Sequence, residues 1–392
     1  MSEKTMIEAI RECLGQEMEA DNRVVVIGED VGVLGGVFRA TDGLQARFGK
    51  ERVVDMPLAE GVIVGSGIGL AISGLRPVIE LQFLGFGHQA FHQIGQQVAR
   101  LRYRSQGRHS LPLVIRSPFG GGVRTPELHS DAFEAFYTHT PGLKVVAPAT
   151  AYDAKGLLTA AMESDDPVLY LEPLKGYRLT KDEVPDERYT VPLGKLRVAR
   201  EGTDVTLIAW SAAVNVAERA AEELSEQGIS VEVLDLRSLN PLDIDGIAES
   251  VAKTGRVAIL HEAPLTGGFG AELVATIQQE CFYSLEAPII RISAPDTPYP
   301  LGGVEDLYIP DVKIMNVKII YIDSIFSIEE SRLIPIYDTL IFRKSSSSEN
   351  IIKINKSFAS TSVIHCMNKN LKEVYPPINN SSFLDKSLLN PS

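Results

Sequence analysis

The sequence predicts an α/β protein with two parallel-sheet domains and an atypical C-terminal tail. Short β-rich runs alternate with helical patterns over most of the chain, which is typical of parallel sheets with crossover helices. A charged interval with two prolines interrupts this alternation at 176–195, and the composition changes abruptly after Lys313. We therefore expect domains at 1–175 and 196–313, a linker at 176–195 and a tail at 314–392.

The expected first domain begins with an amphipathic helix that places Met6, Ile10, Cys13 and Leu14 on one face. Five later runs are typical of buried strands, because each is β-rich and ends in turn or polar residues. They are 24–30, 76–83, 111–118, 143–149 and 167–173. In such sheets ligands bind at the carboxyl ends of the strands.

The expected second domain is smaller and repeats the alternation. Its predicted strands are 204–210, 231–241 and 257–264, and its predicted helices are 214–228 and 245–255. The order again favours a parallel sheet.

The tail differs in composition from the rest of the chain. All 32 glycines precede Lys313, and residues 314–392 contain 14 Ile, 14 Ser and 8 Asn. The tail begins with an apolar run, 314–326, that predicts a strand or a sticky segment. We expect the tail to be disordered or poorly packed, and we interpret Ile314 as close to a frameshift, readthrough or fusion junction.

Charge and hydropathy exclude several classes of protein. The net charge of −13 argues against a nucleic-acid partner, because binding a polyanion needs clustered Lys and Arg. The uncharged stretches are too short to span a membrane, and no targeting segment is visible, so the expected compartment is the cytoplasm. The spacing of Cys13, Cys281 and Cys366 fits neither a metal site nor a disulfide framework.

Glu60 precedes an uncharged run of fifteen residues at 61–75. Burial of an unpaired carboxylate costs several kcal/mol, so a buried Glu60 predicts a ligand. The alternative is a solvated Glu in the first turn of a helix, which the helix dipole favours. The residues alone leave both readings open.

Three other patterns are weak. The glycines at 65–69 lack the third Gly of a dinucleotide loop and favour close helix packing. His88 and His92 lie one turn apart but lack the Glu of a zinc-protease helix. The segment FGGGVR at 119–124 is typical of either a phosphate cradle or a flexible turn.

From Val26 to Lys313 the chain strongly resembles the beta subunit of the thiamine-diphosphate-dependent decarboxylating component of 2-oxo acid dehydrogenase complexes. The resemblance rests on eight ordered blocks: IGEDVG (27–32), VFRAT (37–41), FGKERVVDMPLAE (48–60), GLRPVIELQF (74–83), RYRSQG (102–107), LVIRSPFGGG (113–122), PGLKVVAP (141–148) and HEAPLTGGFGAE (261–272). It implies a transketolase-like pyrimidine-binding domain followed by a transketolase C-terminal-like domain.

The resemblance also implies a reaction. YRLTKDEVP (177–185) and HEAPLTGGF are most similar to the branched-chain, 2-oxoisovalerate type, with pyruvate and acetoin dehydrogenases as near relatives. Such enzymes decarboxylate a 2-oxo acid oxidatively and transfer the acyl group to a lipoyl group of the acyltransferase. A non-catalytic scaffold copy and a self-sufficient transketolase-like enzyme remain as alternatives.

Matching the blocks implies roles for four residues. Glu60 would hydrogen-bond a ring nitrogen of the cofactor's aminopyrimidine. Phe86 would pack on that ring, where many branched-chain enzymes have Tyr, and Gln82 would lie beside it. His129 would transfer a proton during acyl transfer to lipoamide.

A structural potassium ion is also implied. Its site in similar proteins corresponds to the backbone around Leu113, Ala161, Ser164 and Asp166. Here Ser164 stands where Asp is usual and Asp166 where Asn is usual, so this chain departs from the pattern.

The chain lacks the G-D-G motif with which related enzymes hold magnesium and the diphosphate. The nearest string is TDG at 41–43. An alpha subunit is therefore expected to supply that half of the site in an alpha-two, beta-two heterotetramer. The lipoylated acyltransferase core is the second expected partner.

The resemblance ends at the tail. Similar proteins continue after the position of Lys313 with one amphipathic helix, rich in Ala, Val and charged residues. The composition of residues 314–392 departs from that pattern, so we expect this helix to be lost here.

Overall fold

The computed structural model describes residues 1–324, 334–336 and 339–341. The chain divides into two units, Met1–Ile325 and Phe326–Ser392. The strands of the first unit, in chain order, are β1 Ser2–Thr5, β2 Val24–Gly28, β3 Val53–Asp55, β4 Arg76–Glu80, β5 Val114–Phe119, β6 Lys144–Val146, β7 Val168–Pro173, β8 Lys181–Val184, β9 Arg197–Arg200, β10 Val205–Ala209, β11 Val231–Asp235, β12 Ser238–Asn240, β13 Val257–Pro264 and β14 Ile290–Ala294.

Thirteen α-helices accompany these strands in the described part of the first unit. They are α1 Met6–Ala20, α2 Leu44–Phe48, α3 Glu60–Ile72, α4 Gly87–His92, α5 Leu101–Arg104, α6 Glu134–Thr138, α7 Ala151–Glu163, α8 Gly176–Leu179, α9 Ala212–Ser225, α10 Ile244–Thr254, α11 Phe269–Glu280, α12 Glu305–Tyr308 and α13 Val312–Ser324. Short 3-10 turns cover Leu84–Phe86, Glu127–His129 and Phe282–Ser284, and a π-helix covers Gln93–Val98.

The larger sheet has seven strands in the order β12-β6-β7-β5-β4-β2-β3. All neighbours pair in parallel except β12, which runs antiparallel to β6. The expected strand 231–241 is thus two strands in different sheets. The break falls at Arg237, whose φ of 55° is left-handed and turns the chain from one sheet to the other.

The smaller sheet has five strands in the order β14-β13-β10-β11-β9. Strands β10, β11, β13 and β14 are parallel, and β9 is an antiparallel edge strand. The two predicted parallel-sheet domains are confirmed.

Three layers of apolar side chains cover the sheet faces. One packs α1 and α7 on the larger sheet. A second joins the other face of that sheet, with α3 and α4, to the smaller sheet with α10 and α11. A third packs α9 and α13 on the outer face of the smaller sheet. The middle layer places the second domain directly against the half of the first domain that carries Glu60.

The interval predicted as a linker is partly structured. Helix α8 and strand β8 fall within it, and β8 pairs antiparallel with β1. Tyr177 and Val184 are buried. These two buried side chains pack the stretch on the first domain for at least part of its length. They were not predicted from the sequence because charged residues dominate the composition of the interval.

The beginning of the tail is a helix, so the expectation of a strand or sticky segment is wrong for residues 314–324. Met315 and Ile319 lie one turn apart in α13 and are both fully buried against the smaller sheet and α9. The expected loss of the helix that follows Lys313 is therefore also wrong. This chain keeps a helix there, built from Ile, Met and Asn.

In the second unit, β15 Ile334–Ile336 pairs antiparallel with β16 Thr339–Ile341. The other expectations for the tail concern residues outside those that the structure describes. No helix within the described ranges is long and apolar enough to cross a membrane. Cys13 and Cys281 are buried free thiols, and Cys366 lies beyond the described residues.

Candidate active site

Four acidic or aromatic positions follow four neighbouring strands of the larger sheet. Glu29 follows β2, Glu60 lies after β3, Phe86 after β4 and His129 after β5. These strands are adjacent in the order β5-β4-β2-β3 and are parallel. Their carboxyl ends therefore meet at one edge of the sheet, where ligands of such folds bind.

Glu60 combines the two readings that the sequence left open. It is the first residue of α3, as the solvated reading requires, but its side chain is only 4% exposed. Its Oε2 is buried and has no hydrogen-bond partner among the described residues. A buried carboxylate oxygen without a donor is costly, so this atom fits a ligand that brings a donor.

His129 lies in an aromatic cluster with Phe83 and Phe86. The ring centroids of His129 and Phe83 are 4.5 Å apart, those of His129 and Phe86 are 5.0 Å apart, and both pairs meet edge to face. The Nδ1 atom of His129 is buried and has no hydrogen-bond partner in the described chain. Gln82 is half-buried and precedes the cluster in sequence. Phe83 was not singled out from the sequence, although it belongs to the same LQFLGF string.

Gly85 allows this cluster to form. A Cβ at this position would lie 2.2 Å from the carbonyl oxygen of Leu128 and 2.9 Å from Oδ2 of Asp131. Only the absence of a side chain lets the turn Leu84–Phe86 approach the turn Glu127–His129 so closely. The glycine thus brings Phe86 to His129.

Glu29 adds a second acid near Glu60. Burial raises the pKa of Glu29, and the charges of Asp30 and Glu60 raise it further. The site edge therefore concentrates negative charge in a partly dry environment, which favours protonated or cationic groups on a ligand.

The segment 119–124 is neither a free phosphate cradle nor a free turn. The amide of Gly121 donates to the carboxylate of Glu262, and the amide of Gly122 donates to Oε1 of Glu305 at 2.7 Å. The amide of Arg124 donates to Oε2 of Glu305 at 3.0 Å. Two carboxylates of the second domain thus occupy the donors that a phosphate would use.

A group of buried acids lies behind this segment. Burial, with a smaller contribution from the charge of Glu262, raises the pKa of Glu134 to about 7. Burial also raises the pKa of Glu262 to about 7. Both line one small cavity with Trp210 and Ser211. Glu262 lay within a recognised block, and no local pattern pointed to Glu134 or Glu305.

The residues expected to hold potassium lie at the opposite edge of the sheet and are already bonded within the protein. Ser164 Oγ accepts from Lys144 Nζ at 2.9 Å, and the Ser164 carbonyl accepts from Arg76 at 2.9 Å. The Asp166 carboxylate pairs with Arg102.

The carbonyls of Leu113 and Ala161 accept backbone amides. Positive side chains thus contact oxygens of Ser164 and Asp166, and backbone amides contact the other two carbonyls. As placed, these residues do not fit a further cation, and we derive no step from one.

His88 and His92 do not form a metal site with a third ligand. The ring of His88 stacks on Phe133, with centroids 4.5 Å apart. Within the described ranges no group of three or more His, Cys, Asp or Glu is placed to hold a metal ion.

Two known protein families match this chain, one over each of the two domains that the sheets define. The family "Transketolase, pyrimidine binding domain" matches residues 2–179, and "Transketolase, C-terminal domain" matches residues 194–315. A solved structure described as "Split gene transketolase, inactive beta4 tetramer" has a TM-score of 0.68 and 24% identity, and the match covers 82% of this chain and 98% of that one. This likeness shows the fold.

Sequence relatives are much more similar. The chain is 51% identical over 313 residues to the pyruvate dehydrogenase E1 component subunit beta of Bacillus subtilis, a match that covers 80% of this chain and 96% of that protein. It is 50% identical over 313 residues to the protein of the same name from Staphylococcus epidermidis, with the same coverage. A Staphylococcus aureus protein of that name is 50% identical over 311 residues, which covers 79% of this chain and 96% of the relative.

About a fifth of this chain has no counterpart in these relatives. The rest carries the pyrimidine-binding domain followed by the C-terminal domain of transketolase. Glu60, Phe86 and His129 all follow strands that end at one edge of the larger sheet. The chain therefore belongs to the family of transketolase-like beta subunits of the thiamine-diphosphate-dependent E1 component of 2-oxo acid dehydrogenases.

Proposed function

We propose that this chain is the beta subunit of a pyruvate dehydrogenase E1 component. The observation that carries the proposal is the buried Oε2 of Glu60 without a donor, at the sheet edge that also holds Phe86 and His129. The choice of pyruvate rests on relatives that are about half identical and bear that name. The expectation of a branched-chain substrate, which rested on two short blocks, becomes the alternative.

Glu60 fits the aminopyrimidine of thiamine diphosphate. Its unpaired oxygen would accept a hydrogen bond from a protonated ring nitrogen, and the apolar start of α3 would keep water from that bond. The half-buried Phe86 would pack on the same ring, beside Gln82. When bound, the cofactor supplies a nucleophilic carbon and an electron sink for decarboxylation.

His129 is the proposed proton carrier for acyl transfer to a lipoyl group. Phe83 and Phe86 hold its ring from two sides, so the imidazole keeps a fixed direction. An imidazole is suited to give or take a proton near neutral pH.

An alpha subunit is the proposed source of the diphosphate and magnesium contacts. The Gly-rich segment that offered this chain's candidate phosphate cradle already donates its amides to Glu262 and Glu305. A shared site in an alpha-two, beta-two heterotetramer follows, with the lipoylated acyltransferase core as the acceptor of the acyl group.

The test is 2-oxo acid-dependent dye reduction by the full chain, alone and with the alpha subunit of a pyruvate dehydrogenase E1 component, in thiamine diphosphate and magnesium. We expect activity only in the mixture, with a higher kcat/KM for pyruvate than for 2-oxoisovalerate. Glu60→Gln should reduce it by about a thousandfold or more, because a neutral amide stabilises a protonated ring nitrogen of the reacting cofactor much less than a carboxylate does. Glu51→Gln, an exposed carboxylate, is the matched control and should keep full activity.

The other outcomes are equally informative. Preference for 2-oxoisovalerate would replace pyruvate with the branched-chain alternative. Inactivity with both substrates, despite a folded and bound partner, would overturn the enzymatic proposal in favour of a scaffold subunit. Activity of the chain alone would overturn the shared site.

A further inference from the structure

The turn that carries His129 belongs to a loop that is hydrogen-bonded at its two ends and within its second half. The loop runs from Gly120 to Asp131, and the amide of Gly120 donates to the carbonyl of Asp131 at 3.2 Å. Inside it, the hydroxyls of Thr125 and Ser130 are 2.6 Å apart. These bonds close the loop, but the amides of residues 121–124, just after β5, form no backbone hydrogen bond within it.

Glu305 supplies the missing partners from the second domain. Its side chain is 1% exposed, and it accepts from the amides of Gly122 and Arg124 and from the hydroxyl of Tyr299. Glu262 accepts from the amide of Gly121 beside it. Hydrogen bonds to a carboxylate are stronger than neutral ones, especially away from water.

The backbone of this segment needs such support. Gly122 and Arg124 have φ values of 89° and 59°, and the second is unusual for a residue with a side chain. A Cβ on Gly121 would lie 1.7 Å from the hydroxyl of Tyr299, so the segment lies directly on the second domain. The conformation persists because the second domain holds it.

We propose that Glu305 is a positioning residue, which fixes the segment 120–124 from the second domain and thereby places His129 against Phe83 and Phe86. This inference rests on the proposed role of His129 in acyl transfer. Glu305 itself touches no reacting atom, and its effect passes through the backbone of the loop.

The expected signature is a split between the two half-reactions. Decarboxylation depends on Glu60, which lies on another strand end, so Glu305→Gln should change pyruvate-dependent dye reduction by less than about threefold. Reductive acetylation of a free lipoyl domain should fall by about tenfold to a hundredfold in kcat, because small displacements of a catalytic group have effects of that size. The KM for pyruvate should stay unchanged.

Two variants control for simple loss of structure. Asp306→Asn removes the next carboxylate, which is exposed and, among the described residues, accepts a hydrogen bond from the side chain of Arg124 at 3.2 Å, so it should leave both half-reactions unchanged. Tyr299→Phe removes one donor to Glu305 and keeps the carboxylate. It should have a smaller effect of the same kind, and it serves as the test variant if Glu305→Gln does not fold.

Amide hydrogen exchange of the segment 119–131, in the full chain bound to the alpha subunit, gives a readout without activity. We expect exchange to be at least about tenfold faster in Glu305→Gln than in wild type or Asp306→Asn, because Gln replaces one of the two acceptor oxygens of Gly122 and Arg124 with an NH2 donor and leaves only a neutral acceptor for the other amide.

Unchanged exchange would overturn the proposal, and so would faster exchange with normal acetylation in an active enzyme. If the wild-type complex is inactive with both substrates, the proposed function is refuted. The structural claim about Glu305 is then judged by hydrogen exchange alone, and unchanged exchange in Glu305→Gln would refute it.

Discussion

Phe86 and His129 meet edge to face with ring centroids 5.0 Å apart, although they follow different strands of the larger sheet. Phe83 lies against both rings and also against Phe38, so the cluster continues into the apolar layer below the sheet. The position of His129, the candidate proton carrier, is thus set by packing, so it should shift when a neighbouring side chain becomes larger or smaller.

Phe83→Ala should destabilise the chain by about 3 kcal/mol, since loss of a buried aromatic ring leaves a cavity. Urea unfolding of the isolated chain measures this change. Phe282→Ala removes a ring that is more than half exposed and should change the free energy of unfolding by less than about 0.5 kcal/mol. Equal effects of the two substitutions would contradict the packing that we describe.

Gly85→Ala should separate Phe86 from His129. The added methyl group would overlap the carbonyl of Leu128, and relief of this overlap must move one of the two turns. We expect a loss of about 1–3 kcal/mol in stability and about a hundredfold loss in acetylation of lipoyl domains. Gly303→Ala adds a methyl group with nothing within 4 Å and is the control. Normal acetylation by Gly85→Ala would show that the contact is not needed.

The sequence singled out Glu60 through the uncharged run that follows it, but it left the burial of this carboxylate open, and β3, the strand before it, was not among the predicted strands. Phe86 and His129 required the resemblance, since one aromatic ring or one His has no local signal. The contact of Glu305 with Gly122 could not be predicted from either. It joins positions far apart in the chain, and neither lies in a pattern that implies the other.

The start of the tail, at 314–324, differs from what its composition predicted. Composition suggested poor packing there, yet the spacing of Met315 and Ile319 already matches one helical turn. Periodicity was the better guide there, because a helix needs one apolar face and tolerates unusual residues elsewhere. In the 176–195 interval, the buried side chains of Tyr177 and Val184 likewise determine the packing, although most of their neighbours are polar or charged.

Ile319→Ala should destabilise the first unit by about 3 kcal/mol, because this side chain of α13 is fully buried against α9 and the smaller sheet. Lys313→Ala, in the first turn of the same helix and exposed, is the matched control and should change the stability by less than about 0.5 kcal/mol. Thermal or urea unfolding of the full chain distinguishes them. If the two variants unfold alike, the helix does not contribute to the packing of the second domain.

Glu134→Gln should make the stability of the chain less sensitive to a rise in pH between about 5 and 8. Burial, with the charge of Glu262, raises the pKa of Glu134 from its usual 4.5 to about 7 in the folded protein. The folded state therefore keeps a proton that the unfolded state releases. The stabilisation from this group is complete below about pH 4.5 and is lost as the pH rises through 7.

The size of this change is at most about 3 kcal/mol, from the difference between the two pKa values. Gln cannot ionise, so the stability of Glu134→Gln relative to wild type should rise between about pH 5 and pH 8. Taking the difference between the two proteins removes the opposite contribution of His261, whose pKa burial lowers to about 4. Glu280→Gln, at an exposed position, should show a constant difference over the same range. A constant difference for Glu134→Gln as well would mean that Glu134 is already ionised in the folded protein at pH 5, and the buried acid group would then need a cation or water to hold its charge.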